Sequence, residues 1–197
     1  MIISSDQLLY ENRKYAVPQA RIQGMVKRGE LIPLKRGLFE TDSAAPGFLM
    51  ANAILGPSYI SFEYALSYHS MIPERVVTYT SATFGQNKKK EYSNLFGTFT
   101  YRDIPQDVFP YYYTRELSDY RPYLIASREK ALCDQLYIAP PIRGIRDFTE
   151  YLFDGLRLDE EIFEELDLKR IKKVAPLYHK TNLEQLVRLI EKVEQKV

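Results

Sequence analysis

The chain has few of the features that identify enzymes, secreted proteins or membrane proteins. Its 197 residues include a single cysteine, Cys133, which excludes an intrachain disulfide and a zinc site built from several cysteines. The formal net charge is only +1, so any nucleic-acid binding must depend on locally concentrated charge. The N-terminus has no signal-peptide core, and no apolar run reaches membrane-spanning length. We therefore expect a cytoplasmic protein that does not associate with membranes.

Motifs for cofactor and metal chemistry are also missing. The nine glycines form no P-loop and no G-x-G-x-x-G pattern, and the sequence has no Asp-x-Asp pair. His69 and His179 lack a ligand-like spacing with Cys133 or with a carboxylate. A nucleophile made of Cys133, a histidine and Asp134 is the enzymatic alternative, but a cysteine on an apolar helix face is typical of a core residue. We predict that the chain is not an enzyme and needs no cofactor or metal.

Positive charge is instead concentrated in the segment AVPQARIQGMVKRGELIPLKRGLFET, residues 16–41. The pattern predicts a helix over residues 17–28, because Pro18 suits the first turn of a helix and Gly29 its C-terminal end. Residues 31–40 predict a strand, a turn with a basic tip and a second strand. Between residues 13 and 36 the only acid is Glu30, against the basic residues Arg13, Lys14, Arg21, Lys27, Arg28, Lys35 and Arg36. A basic helix followed by a basic hairpin is typical of a winged helix-turn-helix that contacts DNA phosphates.

The helix over residues 17–28 separates an apolar face from a basic one. Ile22, Met25 and Val26 share the face that we expect to pack against the protein. On the other face, glutamine and arginine side chains can read base edges or contact phosphates, and Ala20 and Gly24 allow a close approach to the DNA. The predicted DNA-binding residues of the helix and the wing are Gln19, Arg21, Gln23, Lys27, Arg28, Lys35 and Arg36. A solvated amphipathic helix with an ordinary charged hairpin is the alternative.

The sequence predicts an α+β protein of two units. Residues 1–43 form the winged helix-turn-helix, a linker follows at residues 42–47, and residues 48–197 form a mixed α+β domain with a helical tail from about residue 147. In the second unit we predict helices over 48–55, 62–70 and 128–137. Strands are predicted over 75–83, 97–104, 109–114 and 123–126, with a polar basic loop over 85–90.

One short pattern, S-x-E-x-A-L, occurs twice in the second unit. It begins at Ser61 and again at Ser127, each time after a strand-like apolar pair of residues. Serine is a good helix N-cap, and the glutamate in the first turn complements the helix dipole. We interpret the two copies as strand-to-helix corners rather than as a domain duplication.

Two further regions are candidates for an interface. The first is rich in tyrosine and includes Tyr101, Tyr111, Tyr112, Tyr113, Tyr120 and Tyr123, which suit a half-buried strand face or a stacking surface. The second is the tail, which has nine acidic residues between positions 147 and 167 but a single basic residue there, Arg157. Residues 169–180 have the opposite charge, with several basic residues and no acidic one. The ordinary explanation is that these charges lie on solvated helix faces. The alternative is that the acidic helices bind a basic partner and that the basic stretch adds a second contact to DNA phosphates.

Three pieces of the chain together resemble the AbiEi family, the antitoxins of type IV toxin–antitoxin systems. They are MVKRGELIPLKRGLFE at the winged-helix end, YISFEYALSYHSMIPE at the first corner, and GTFTYRDI followed by LIASREKALCDQLY at the second. The resemblance covers the chain to about residue 137. A full winged domain of this kind has another helix before Ser5, which we expect to be absent here or replaced by residues of the second unit.

The resemblance implies a transcriptional autorepressor whose N-terminal domain binds inverted repeats in its own promoter. It also implies an antitoxin domain that opposes a nucleotidyltransferase toxin of the AbiEii type, directly or functionally, in bacteria or archaea and in phage defence. The competing hypothesis is a protein-interaction module that neutralises a partner without binding DNA.

Overall fold

The computed structural model describes residues 1–119 and 121–195, and it is a mixed α+β protein with two sheets. Tyr120, part of the tyrosine-rich region, and the last two residues of the predicted tail lie outside the described residues. The strands are β1 (Ile2–Ser4), β2 (Ile32–Lys35), β3 (Leu38–Glu40), β4 (Tyr59–Ile60), β5 (Tyr79–Thr83), β6 (Lys90–Asn94), β7 (Gly97–Asp103), β8 (Tyr113–Ser118) and β9 (Arg121–Ala126).

The described helical segments are of three kinds: α-helices, short 3₁₀ turns and a π-helical turn. The α-helices are α1 (Ser5–Glu11), α2 (Pro18–Lys27), α3 (Ala51–Ile54), α4 (Phe62–Tyr68), α5 (Arg128–Ile138), α6 (Ile145–Glu150), α7 (Glu160–Glu164), α8 (Leu168–Val174) and α9 (Thr181–Glu194). Short 3₁₀ turns cover Gly47–Met50, Gln106–Val108 and Ala175–Tyr178, and a π-helical turn covers Tyr151–Gly155. Among the described residues, none of these helices combines the length and the apolar character that crossing a bilayer requires.

The first sheet pairs a strand that precedes the two N-terminal helices in the chain with two strands that follow them. Its order is β1-β3-β2, all antiparallel, with Ile2 opposite Glu40 and Ile32 opposite the same glutamate from the other side. Helices α1 and α2 lie between β1 and β2 in the chain and enclose a small core of Ile3, Leu8, Ile22 and Leu31. Strand β1 was not predicted, because a three-residue strand that pairs with residues near position 40 has no local signal.

The other side of this sheet packs against the rest of the protein. Leu34 belongs to the main hydrophobic core, and Ile2 and Leu38 pack against it. The backbone carbonyl of Leu34 accepts a hydrogen bond from Asn94 Nδ2 at 3.0 Å, and Arg121 pairs with Glu40 at 2.5 Å. The N-terminal unit is therefore fixed to the second unit by apolar contacts, hydrogen bonds and an ion pair.

The segment predicted as a linker, residues 42–47, is closely packed at its end. Ala45 is buried in the main core. A Cβ atom at Gly47 would lie 2.5 Å from the Phe96 carbonyl oxygen and 2.5 Å from the Tyr79 ring, so only glycine fits there without a shift of the surroundings. The connection between the two units is thus held in place by packing.

The second sheet places the two predicted strand-to-helix corners side by side. Its order is β6-β7-β5-β4-β9-β8, in which β4 and β9 are parallel neighbours. Helix α4 follows β4 and α5 follows β9, and the two helices pack together. Ser127 caps α5 by accepting a hydrogen bond from the Lys130 N–H, as predicted. Ser61 likewise occupies the N-cap position of α4, but it forms no capping hydrogen bond, because its hydroxyl donates to Asp134 Oδ2 at 2.7 Å instead.

Several strand boundaries differ from the predictions. The strand predicted over 75–83 begins only at Tyr79, because the Val76 N–H donates to Ser67 Oγ. The strand predicted over 109–114 begins at Tyr113, because the preceding residues form turns closed by local hydrogen bonds. Strand β6 was not predicted, since its sequence KEYSN is polar and its pairing is supplied by the hairpin with β7. The predicted helices over 62–70 and 128–137 are confirmed as α4 and α5.

Candidate nucleic-acid interface

Helix α2 is anchored by the side that the sequence predicted. Ile22 is buried, and Met25 and Val26 are half-buried against the small core. Pro18 occupies the first helical turn, and Gly29 follows the helix with a φ of +76°, a conformation that favours glycine. The opposite side of α2 faces solvent.

The exposed side of α2 aligns three of the predicted DNA-binding residues. Gln19, Gln23 and Lys27 are all exposed and follow one another at intervals of four residues, so they share one face. At about 1.5 Å rise per residue, this polar stripe is roughly 12 Å long. Ala20 and Gly24 lie beside it, and the Arg28 guanidinium lies over Gly24, 3.1 Å from where a Cβ atom would stand. The stripe has the length and chemistry to contact base edges.

Arg21 is exposed but engaged by neighbouring residues. Its Nε donates to Asn12 Oδ1 at 2.9 Å, and its guanidinium lies 4.1 Å from the centroid of the Tyr15 ring. Asn12 is itself buried and donates from Nδ2 to the Leu8 carbonyl. This positioning role of Asn12 and Tyr15 was not predicted, because nothing in the local sequence indicates which side chain the end of α1 will face. The arginine joins the end of α1 to the start of α2.

Of the remaining cations predicted to bind DNA, two contact other groups of the protein and one is exposed. Arg28 pairs with Glu30 at 2.5 Å, and this pair raises the pKa of Arg28 and lowers that of Glu30. Lys35 is half-buried, with its Nζ donating to the Ile54 carbonyl, so it points toward the second unit. Arg36 is exposed at the tip of the hairpin. The structure therefore brings together Gln19, Gln23 and Lys27, and it leaves Arg36 as the outward cation of the wing.

The most extensive buried polar cluster lies elsewhere, beneath the two strand-to-helix corners. Asp134 Oδ1 accepts hydrogen bonds from Lys130 Nζ at 2.9 Å and from the Tyr178 hydroxyl at 2.5 Å. Its Oδ2 accepts from the hydroxyls of Tyr59 and Ser61 at 3.0 and 2.7 Å. All five side chains are at most 2% exposed, and burial, followed by the charge of Asp134, raises the pKa of both tyrosines well above the usual value. With its hydrogen bonds satisfied internally, this cluster joins α5, the sheet and the tail.

The thiol of Cys133 is fully buried in the main core beside this cluster. Burial raises its pKa far above the usual value, which opposes formation of the nucleophilic thiolate. His69, one of the two histidines, is engaged through Nε2 with the Ala126 carbonyl at 2.8 Å.

We expect Cys133 to be unreactive in the folded protein. A chromogenic disulfide reagent at pH 8 should label less than about a tenth of the thiol over an hour, and labelling should become complete in denaturant, because only unfolding exposes the sulfur. Denatured protein is the control for reagent and stoichiometry. Rapid labelling of the native protein with one thiol per chain would contradict the burial of Cys133.

The tyrosine-rich region is mostly packed. Tyr101 is buried and donates to the Ala51 carbonyl at 2.7 Å, and Tyr123 is buried as well. Tyr111 and Tyr112 are half-buried beneath the cations Lys173 and Arg170, at 5.8 and 5.3 Å from the ring centroids. Tyr113 stacks on Tyr59. The described tyrosines of this region thus serve mainly the internal packing of the protein, and Tyr111 and Tyr112 contact the tail.

Among residues 1–119 and 121–195, no group of three or more histidine, cysteine, aspartate or glutamate side chains is arranged to hold a metal ion. No protein-family model matches the chain, and a search of curated proteins also found no match. The resemblance to the AbiEi family therefore stays a prediction.

Proposed function

We propose that residues 1–43 form a winged helix-turn-helix that binds double-stranded DNA, and that the chain is a cytoplasmic transcriptional autorepressor. The observation that supports this most is the order strand, two helices, hairpin, with β1 and β2 flanking β3 and α2 left exposed on its polar side. In such a unit the second helix enters the major groove, and the hairpin lies over the neighbouring backbone.

In this proposal α2 is the recognition helix. Gln19 and Gln23 lie where they can hydrogen-bond to base edges, because amide side chains match the donor and acceptor pair of adenine. Lys27 and Arg36 supply charge for the phosphates on either side. Arg21, held by Asn12, keeps α1 and α2 at a fixed angle and contributes its charge from the same surface.

The antitoxin activity is proposed on the family resemblance alone. In this proposal, residues 48–197 carry the antitoxin activity. The neighbouring gene encodes the partner, a nucleotidyltransferase of the AbiEii type. Autorepression at inverted repeats would bring two copies of the chain to one promoter, each on its own half-site.

A gel-shift titration with DNA from upstream of the gene tests DNA binding. We expect a specific shift in two steps and a log–log salt dependence with a slope of about −5 if six phosphates are contacted. The variant Lys27→Ala/Arg36→Ala should bind about tenfold more weakly, since exposed charge contacts contribute up to ~1 kcal/mol each. Its slope should be shallower by about 1.8, or 0.9 per lost contact.

The matched control is Lys88→Ala/Lys89→Ala, which removes the same charge from another exposed loop. This control should retain the affinity and the slope of the unchanged protein. Equal loss in both variants would show that only overall charge matters, and competition by unrelated DNA as effective as by the promoter would remove the proposed sequence recognition. Survival of cells that express the neighbouring nucleotidyltransferase, with and without this chain, tests the antitoxin activity separately.

A further inference from the structure

The helical tail contains an open apolar groove that the proposed DNA binding does not use. The groove has a volume of about 450 Å³ and lies between α7, the C-terminal half of α9 and the π-helical turn. Its floor is formed by Phe153, Phe163, Leu168, Leu189 and Val193. A second hollow of about 580 Å³ adjoins it and shares Phe153, Glu160, Leu189 and Val193.

The apolar stripe of α9 is only partly covered. Leu183, Leu186 and Ile190 are buried against the core, but Val193, on the same face of the helix, is 40% exposed. Leu189 is half-buried at the edge of the groove. An amphipathic helix normally covers such a stripe along its whole length. The end of this stripe is open because α7 ends at Glu164 and the chain then turns away into α8.

The rim of the groove is predominantly acidic. Glu160 and Glu164 of α7 border the groove, and Glu150 and Asp154 border the adjoining hollow. All four are exposed, and none of them forms an ion pair within the described parts of the chain. The cations beside them, Arg146 and Lys192, line only the second hollow.

We propose that this groove binds an amphipathic helix from another protein, with leucine-like side chains on one face and lysine or arginine beside them. Apolar residues one helical turn apart would occupy the space between Val193, Phe153 and Phe163. The flanking cations would lie opposite the carboxylates of Glu160 and Glu164, which have no such partner among the residues that the structure describes. A second copy of the chain fits less well, because a two-fold contact would bring the same acidic rim against itself.

A model peptide tests this proposal on the full-length protein. The probe is a fluorescein-labelled 14-residue helix of leucine and lysine with leucine at the a, d and e positions. Fluorescence anisotropy should show saturable binding that weakens with salt. A scrambled peptide of the same composition should bind at least about tenfold more weakly, because its leucines no longer share a helical face. The same periodic peptide with glutamate in place of lysine should not bind.

Two groove variants and one matched control complete the experiment. Glu160→Gln/Glu164→Gln should weaken binding by about fivefold through lost charge pairing, and Val193→Ser should weaken it through lost apolar contact. The control Glu184→Gln/Glu191→Gln removes the same charge from the outer face of α9 and should have no effect. These variants are exposed, so folding should be retained, as circular dichroism would verify.

Three results would overturn the proposal. They are equal affinity for the periodic and scrambled peptides, equal affinity of the groove and control variants, and a dimer in analytical ultracentrifugation that the Val193→Ser change dissociates. The last result would assign the groove to a second copy. The proposal does not depend on DNA binding: the groove variants should shift promoter DNA normally, so failure here and failure of the gel-shift test are distinguishable.

Discussion

Replacing Lys130 by methionine should lower the free energy of unfolding by about 3–5 kcal/mol, the largest effect we expect from a single substitution. Methionine is close to the lysine stem in volume, so the loss is electrostatic rather than a cavity. The change removes the ammonium that pairs with Asp134 at 2.9 Å and donates to the Tyr178 hydroxyl. Asp134 would be left as a fully buried carboxylate without its counter-ion. Urea unfolding followed by circular dichroism measures the change.

A matched control and a double variant make this prediction specific. Lys169→Met removes an exposed lysine from α8 and should change stability by less than about 0.5 kcal/mol. Lys130→Met/Asp134→Leu should cost less than the sum of the two single changes, because the double variant leaves no unpaired charge. Additive losses would show that Lys130 and Asp134 are not energetically coupled. A Lys130→Met protein as stable as the control would contradict the buried pair itself.

Replacing Glu40 by glutamine should cost about 2 kcal/mol at neutral pH, because hydrogen bonds to charged groups contribute about 1.5–3 kcal/mol. Glu40 is fully buried and pairs with Arg121, and it also accepts hydrogen bonds from the amino group of Met1 and from the Asp42 N–H. The change removes the ion pair between the N-terminal sheet and β9, because glutamine carries no charge. The comparison is Glu161→Gln, an exposed carboxylate on α7, which should be close to neutral.

The cost of Glu40→Gln should depend on pH in a defined direction. Burial raises the pKa of Glu40, but the hydrogen bonds and the charge of Arg121 outweigh burial and lower it below its usual value. A carboxyl with a lowered folded pKa stabilises the protein fully above its unfolded pKa of about 4.3, and this contribution is lost as pH falls through the folded value. The stability difference between unchanged and Glu40→Gln protein should therefore be constant from pH 7 to about 6 and shrink below about pH 4. A difference that grew on acidification would contradict the lowered pKa.

The elements that local sequence could predict are those with local physical causes. Helix α2 has a proline at its start, a glycine after its end and apolar residues at helical spacing, and the structure has it at Pro18–Lys27. Helix α5 was predictable from its serine cap and its apolar run. Strands β1 and β6 were not, because short strands acquire their hydrogen bonds from distant residues and carry little signal of their own.

The candidate DNA-binding face shows the same division. The sequence alone predicted that Gln19, Arg21, Gln23 and Lys27 lie on the DNA-facing side of the helix, because helical periodicity is a local property. The structure aligns Gln19, Gln23 and Lys27 on one exposed face. The sequence could not predict that Asn12 would hold Arg21 or that Lys35 would turn toward the Ile54 carbonyl. Asn12 and Arg21 are 9 positions apart in the sequence, and Lys35 and Ile54 are 19 positions apart. Only the packing of separate elements decides such contacts.

By itself, the sequence determined the helix-and-hairpin order of the N-terminal unit, the two strand-to-helix corners and the helical tail. Each depends on caps, breakers and periodicity within about fifteen residues. The tertiary structure alone decided that the N-terminal sheet packs against the second unit and that Tyr178 in the tail reaches Asp134 on α5. It also decided that the acidic tail encloses an open groove. These features arise from contacts between residues far apart in the chain, which no local pattern encodes.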